Sequence, residues 1–181
     1  MKSAAKWLIL PLLMLSLAVA SSAGFDLVSK QAKSYASNAA FPVTSPQLRI
    51  DRKTNLISIA AVEDVHLTAL AGPKAKMMSF QIDELSNPEI RVPKGTRLTL
   101  NVINVDDDMP HNLYLTTQAP PYQRAVGTTP IGTGMLKPQK DGHYTGAALI
   151  LKAAKPGTYY YVCTVTGHAR AGMFGKIVVT P

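Results

Sequence analysis

The chain has 181 residues, 46% of them hydrophobic and 17% charged, enough for one domain with a sizeable core. Its 19 lysines and arginines exceed 11 carboxylates for a formal charge of +8, but they are scattered singly, which argues for a solvated basic surface and against a nucleic-acid-binding stripe. A single cysteine, Cys163, excludes an internal disulfide.

Residues 1–23 carry Lys2 and Lys6, then an apolar run from Trp7 to Leu15 that continues to Ala20, with small-residue cleavage options at Ala18-Val-Ala20 and Ser21-Ser-Ala23. This pattern reads as a secretory signal peptide. The alternative is an uncleaved anchor that would tether the protein to a membrane, but about 14 apolar residues interrupted by Pro11 fall short of the roughly 20 needed to span. No cysteine follows the run to accept a lipid. Removing Lys2 and Lys6 leaves 17 basic against 11 acidic side chains, a charge of +6. Few carboxylates leave little charge to change on acidification, which is compatible with an acidic habitat. A lone cysteine in an exported chain is an intermolecular half-cystine, a free thiol or a metal thiolate.

Residues 24–47 mix Ser, Ala, Asn and Lys and include two prolines, and Lys30 to Ala40 has a poor apolar face, so a helical or irregular extension is expected. The character changes from residue 48. Leu48 to Asp51, Leu56 to Val62, and Met77 to Asp83 with Met78, Phe80 and Ile82 alternating, read as strands, with a connection from His66 to Lys76 across Gly72-Pro73. Two strands flank the turn Pro93-Lys-Gly95, and another begins at His111 after Asp106 to Asp108. Prolines and glycines make Thr117 to Asp141 mainly loop. Strands follow at Ala147 to Leu151, in the tyrosine-rich run after Gly157, and at Phe174 to Val179. Seven or eight short strands separated by turns argue an all-β sandwich, and no repeat divides it.

The chemistry concentrates between the last two strands, where Cys163, His168 and Met173 fall five residues apart in one loop. Thiolate, imidazole and thioether together suit copper, and a trigonal His2Cys site with a weak axial methionine is the arrangement of blue-copper electron transfer. One more histidine is needed. A buried inert cysteine would be the reading if His168 and Met173 were absent.

At these residues the chain resembles the cupredoxins, the type 1 blue copper proteins, and most closely the rusticyanins of acidophilic iron oxidisers. The resemblance runs from about Met77 to Pro181. It is carried by Asn87-Pro-Glu-Ile-Arg-Val-Pro-Lys-Gly, Pro120-Pro-Tyr122, Lys140-Asp-Gly142, and Gly157-Thr-Tyr-Tyr-Tyr-Val-Cys with Gly167-His-Ala and Gly172-Met-Phe-Gly-Lys-Ile-Val-Val. It implies a Greek-key β-sandwich over 48–181 holding one type 1 copper ion, Cu(I)/Cu(II), between His111, Cys163, His168 and Met173. It also implies a periplasmic electron carrier, expected to be monomeric, serving redox proteins such as c-type cytochromes or a terminal oxidase in an iron- or sulfur-linked chain. Rusticyanins carry serine after the first ligand histidine, whereas this chain has Asn112, as most other cupredoxins do. Its amide is expected to tie the two ligand loops together, so the very high rusticyanin potential does not transfer.

Three classes of function compete. A one-electron carrier leads. A copper oxidase or reductase would need paired His-x-His segments or a His-Cys-His run, and neither occurs. A copper carrier or storage protein would use the same ligands without redox chemistry. His168, between Gly167 and Ala169, is expected to show its ring edge at the surface, ringed by Met109, Pro110, Ala169, Ala171 and Met135. His66 and His143 read as solvent-exposed, Tyr159 to Tyr161 and Met77 to Met78 as core, and Asp106 to Asp108 as a solvated turn.

Overall fold

Runs of alternating apolar residues too short to form helices must pair edge to edge, and two sheets result. The structure, a computed structural model, describes residues 21–22, 24–124 and 126–181. Apart from two serines, the expected signal segment lies outside the described residues. In chain order the strands are β1 Ser21–Ser22, β2 Phe25–Ala36, β3 Arg49–Asp51, β4 Leu56–Ser58, β5 Asp64–Ala71, β6 Phe80–Ile82 and β7 Leu85–Ser86. There follow β8 Glu89–Pro93, β9 Arg97–Asn104, β10 Tyr114–Thr116, β11 His143–Ala153, β12 Gly157–Val162 and β13 Phe174–Thr180. One sheet has the order β1-β2-β11-β9-β5-β6-β7, the other β10-β12-β13-β8-β4-β3. No helix among the described residues is long and apolar enough to cross a membrane.

The core lies between the sheets, and each central strand supplies it with every second residue. Leu98, Leu100 and Val102 of β9 and Ala147, Leu149 and Leu151 of β11 meet Ile90 and Val92 of β8, Tyr159 and Tyr161 of β12, and Ile177 and Val179 of β13. Tyr161 lies opposite Gly175 on β13, where any side chain would strike its ring, and its hydroxyl donates to the Pro88 carbonyl at 2.7 Å. The strand face that reads Tyr159, Tyr161 in the core therefore ends on Cys163, itself buried.

Two expectations are corrected. Residues 25–36 form no helix but a strand, β2, antiparallel to β11 along its length and at the sheet edge beyond the two residues that β1 covers. A helix there would have lacked an apolar stripe to bury, whereas an edge strand is held by backbone hydrogen bonds and needs only Phe25 and Leu27 at the core. The pairing steps between Ser29 and Leu27, so that Val28 bulges outward and is exposed. The supposed connection after His66 begins instead at Gly72. Asp64–Ala71 is a strand parallel to β9, with Val65, Leu67, Ala69 and Ala71 all buried. Smaller differences follow the same logic. The strand from Leu56 stops at Ser58, leaving Val62 exposed; Met77 is exposed rather than core; and His111 makes only a single bridge to Leu136 before β10 begins.

On the outer face of the second sheet Glu89 of β8 pairs with Lys176 of β13 and with Arg91 at 2.7 Å. Burial alone would raise the Glu89 carboxyl, but the hydrogen bonds from Lys176 and Arg91 outweigh it and hold the carboxyl below its ordinary value. A depressed folded value means the pairing stabilises fully above the unfolded glutamate value of about 4.3 and is lost as pH falls through the folded one. The stability difference between wild type and Glu89→Gln should therefore be constant at neutral pH and shrink below about pH 4. Denaturant midpoints measured across that range check it; a difference that grows on acidification contradicts it.

Candidate metal centre

The loop from Cys163 to Met173 is built by its own backbone. Cys163 N donates to Met173 O at 3.0 Å and Met173 N to His168 O at 3.0 Å, while His168 N, Ala171 N and Gly172 N close turns onto Val165, Gly167 and Ala169. All three candidate ligands of this loop are thus returned to one end of the sandwich. A small apolar cluster of Tyr122, Val126, Val162 and Ala169, with Phe174 against it, packs on this end. Strand β10 pairs with β12, Tyr114 opposite Val162, and so carries His111 up beside the cysteine.

Three donor atoms converge. His168 Nδ1 lies 3.5 Å from Cys163 Sγ and 3.2 Å from His111 Nδ1, and His111 Nδ1 lies 4.0 Å from the sulfur. An ion at the centre of a triangle with bonds of about 2.0–2.3 Å to imidazole and thiolate needs edges of roughly 3.5–4 Å, so the donor set fits a single metal ion within a few tenths of an ångström. Met173 is wholly buried beside them. A thiolate and two imidazoles suit copper or zinc, and the addition of a methionine thioether is what favours copper.

The environment is dry. Burial pushes the Cys163 thiol up, against the backbone N–H groups of Asn112 and Val165 that favour the thiolate. Burial, with the neighbouring His111, pushes the His168 imidazole down, which favours the neutral form that can ligate. His111 is 0% exposed and His168 6%, which makes His168 the ring nearer the surface, as its glycine-flanked position implied.

Asn112 does link the two ligand segments. Its Oδ1 accepts from Thr164 N at 2.7 Å, and its Nδ2 donates to Thr164 Oγ1 at 3.0 Å. Asn112→Ala removes the partner of the part-buried Thr164 N–H beside the cysteine and should lower apoprotein stability by about 1 kcal/mol. Urea unfolding reads this directly, and an unchanged midpoint would show that the link carries no weight.

Other expectations are sorted by burial. His66 and His143 are exposed and lie outside the cluster. Ala169 is buried with Tyr122 and so leaves the expected surface patch; of the other residues expected there, Met109 and Pro110 are half-buried and Ala171 and Met135 exposed. Asp106 is no solvated turn residue. It is 2% exposed, and its Oδ2 lies 3.1 Å from His111 Nε2. Burial would raise its carboxyl, but N–H groups of Asp108 and Met109 and the His111 ring hold it below the ordinary value. Asn104, equally unheralded, ends β9 with Nδ2 donating to Met109, Leu136 and Lys137 carbonyls at 2.9–3.1 Å, and so shapes the loop that delivers His111. An Asn-x-Asp spacing just before a candidate ligand was the only trace of either in the sequence.

Comparison with known proteins agrees with this geometry. The family described as copper binding proteins, plastocyanin/azurin family, matches residues 67–180. Rusticyanin of Acidithiobacillus ferrooxidans is 35% identical over 145 residues, 75% of this chain and 77% of the relative. Rusticyanin of Acidithiobacillus ferridurans is 34% identical over 145 residues with the same shares. Among solved structures, reduced rusticyanin aligns with a TM-score of 0.68 at 29% identity, covering 83% of this chain and 100% of that one. Rusticyanin from Thiobacillus ferrooxidans aligns with a TM-score of 0.66 at 31% identity, covering 74% and 86%.

Proposed function

The chain belongs to the plastocyanin/azurin family of copper-binding proteins, and from that premise we propose that it is an exported single-electron carrier whose copper is held by His111, Cys163, His168 and Met173. That it is a blue copper electron-transfer protein follows from the family and from its likeness to rusticyanin. The observation that carries the ligand assignment is the buried triangle of His111 Nδ1, His168 Nδ1 and Cys163 Sγ, with edges of 3.2–4.0 Å. When bound, copper supplies a Cu(I)/Cu(II) couple.

What the chain's own residues do is hold still. The loop bonds between Cys163, His168 and Met173, and the Asn112–Thr164 bridge, fix the donors before any metal arrives. A site that cannot rearrange for either oxidation state requires little reorganisation, which suits fast transfer. Met173 would hold the ion as a fourth, weaker thioether donor beside the two imidazoles and the thiolate. The more accessible ring, His168, is the electron's exit, beside exposed Ala171 and half-buried Met109 and Pro110. A small, brief docking interface is what such a patch supports.

Export is read from residues 1–23, and a periplasmic c-type cytochrome or terminal oxidase is the expected class of partner. Fractionation of the host decides the location. A soluble protein beginning at residue 21 or 24 supports export with cleavage, and one that pellets with membranes and keeps its N-terminus supports a tether.

Loading with one equivalent of Cu(II) tests the function. An intense thiolate-to-copper absorption that bleaches and returns over a one-electron redox titration is expected. A colourless protein that takes up only Cu(I) would overturn the carrier in favour of copper storage.

A further inference from the structure

We propose that Asp106 is the positioning residue of His111, fixing the ring so that Nδ1 faces the cysteine and biasing the centre toward Cu(II). The inference rests on His111 being a copper ligand. Its ring spans two different neighbours. Nδ1 points into the triangle with Cys163 and His168, and Nε2, at the far end, lies 3.1 Å from Asp106 Oδ2. A carboxylate only accepts, so Nε2 carries the hydrogen and Nδ1 is left with its lone pair toward the site.

The carboxylate has no freedom to turn away. Its Oδ1 accepts from Asp108 N at 2.8 Å and Met109 N at 2.9 Å, and its own backbone N–H donates to Asn104 Oδ1 at 3.0 Å. Gly72 closes the pair from the third side. The parallel pairing of β5 with β9 brings Ala71 opposite Asn104, so Gly72 lies over the loop that follows. With φ of +70° it suits glycine, and a Cβ there would fall against His111 Nε2 and 2.8 Å from Asp106 Cβ. Asp106 and His111 are therefore sealed from water, at 2% and 0% exposure.

A negative charge in such a place does more than orient. In a low-dielectric surrounding it acts strongly on a nearby ion, it makes the imidazole a better donor, and both effects favour the doubly charged state over the singly charged one. The competing explanation is that Asp106 merely ties down the loop of residues 105–110. An asparagine would do that as well, since its Oδ1 accepts the same two backbone bonds.

Asp106→Asn separates the two. Cu(II) affinity should fall about 10–100-fold, Cu(I) affinity less, and each tenfold difference between them should raise the reduction potential by about 59 mV. Equal losses in both states, or none, with an unmoved potential in a protein that is still blue, overturn the proposal. A wild-type protein that never turns blue overturns the copper reading beneath it instead. Nitrogen NMR of the wild-type apoprotein gives a test that needs no variant. A proton on His111 Nε2 with Nδ1 bare is expected, and a ring protonated on Nδ1 alone overturns the assignment.

Discussion

Cys163→Ser is expected to abolish the intense visible absorption and reversible redox chemistry while leaving a folded protein. Cys163 is wholly buried at the end of β12 and supplies the only thiolate in the chain. A serine hydroxyl is not ionised at neutral pH and is a hard donor, so the charge and softness that select copper vanish together. The backbone bond from residue 163 to Met173 O does not depend on the side chain, and the two are close in volume. The loss should therefore not be a folding defect; burying an unpaired hydroxyl costs about 1–3 kcal/mol. Absorption after Cu(II) addition, with thermal unfolding of both apoproteins alongside, checks it. A variant as blue as wild type would remove Cys163 from the site.

Phe80→Ala should produce the largest loss of stability among these substitutions, about 3–5 kcal/mol, because it deletes a wholly buried ring from a core that can only partly collapse. Phe80 packs edge-on to Tyr161, with ring centroids 5.6 Å apart and planes at 68°. Its backbone is tied on both sides to Asn87, N–H to Oδ1 at 2.8 Å and carbonyl to the Asn87 N–H at 2.8 Å. Asn87 Nδ2 in turn donates to Gly172 O at 2.9 Å, one residue before Met173. The cavity thus opens beneath the aromatic column that leads to Cys163 and beside the segment that shapes the ligand loop. A drop of about 10 °C in the unfolding temperature is expected for a chain of this size. A fall under about 2 °C would mean the core refills around the missing ring.

The metal centre was legible where its residues are close in sequence. Cys163, His168 and Met173 sit in one loop, and their spacing with the flanking strands is itself the mark of the chemistry. His111 needed the family resemblance, because it lies 52 residues before the cysteine and nothing local marks it as a partner. Core strands such as β9 were legible because Leu98, Leu100 and Val102 alternate with polar neighbours. Strand β5 was not, since the turn signal of Gly72-Pro73 adjoins the alternation of Val65, Leu67, Ala69 and Ala71 and outweighs it. Strand β2 was missed for the opposite reason. An edge strand buries little and is held by backbone bonds, which leave no pattern in side-chain type.

The sequence by itself determined the all-β class, the copper chemistry and the loop that carries most of it, because alternation and ligand spacing are properties of neighbouring residues. Only the tertiary structure decided what surrounds the far side of His111. Gly72 closes over Asp106 and His111 there because β5 runs parallel to β9. The pairing of strands sets what seals the buried charge beside His111, and Gly72, 34 and 39 positions from Asp106 and His111, carries no local trace of it.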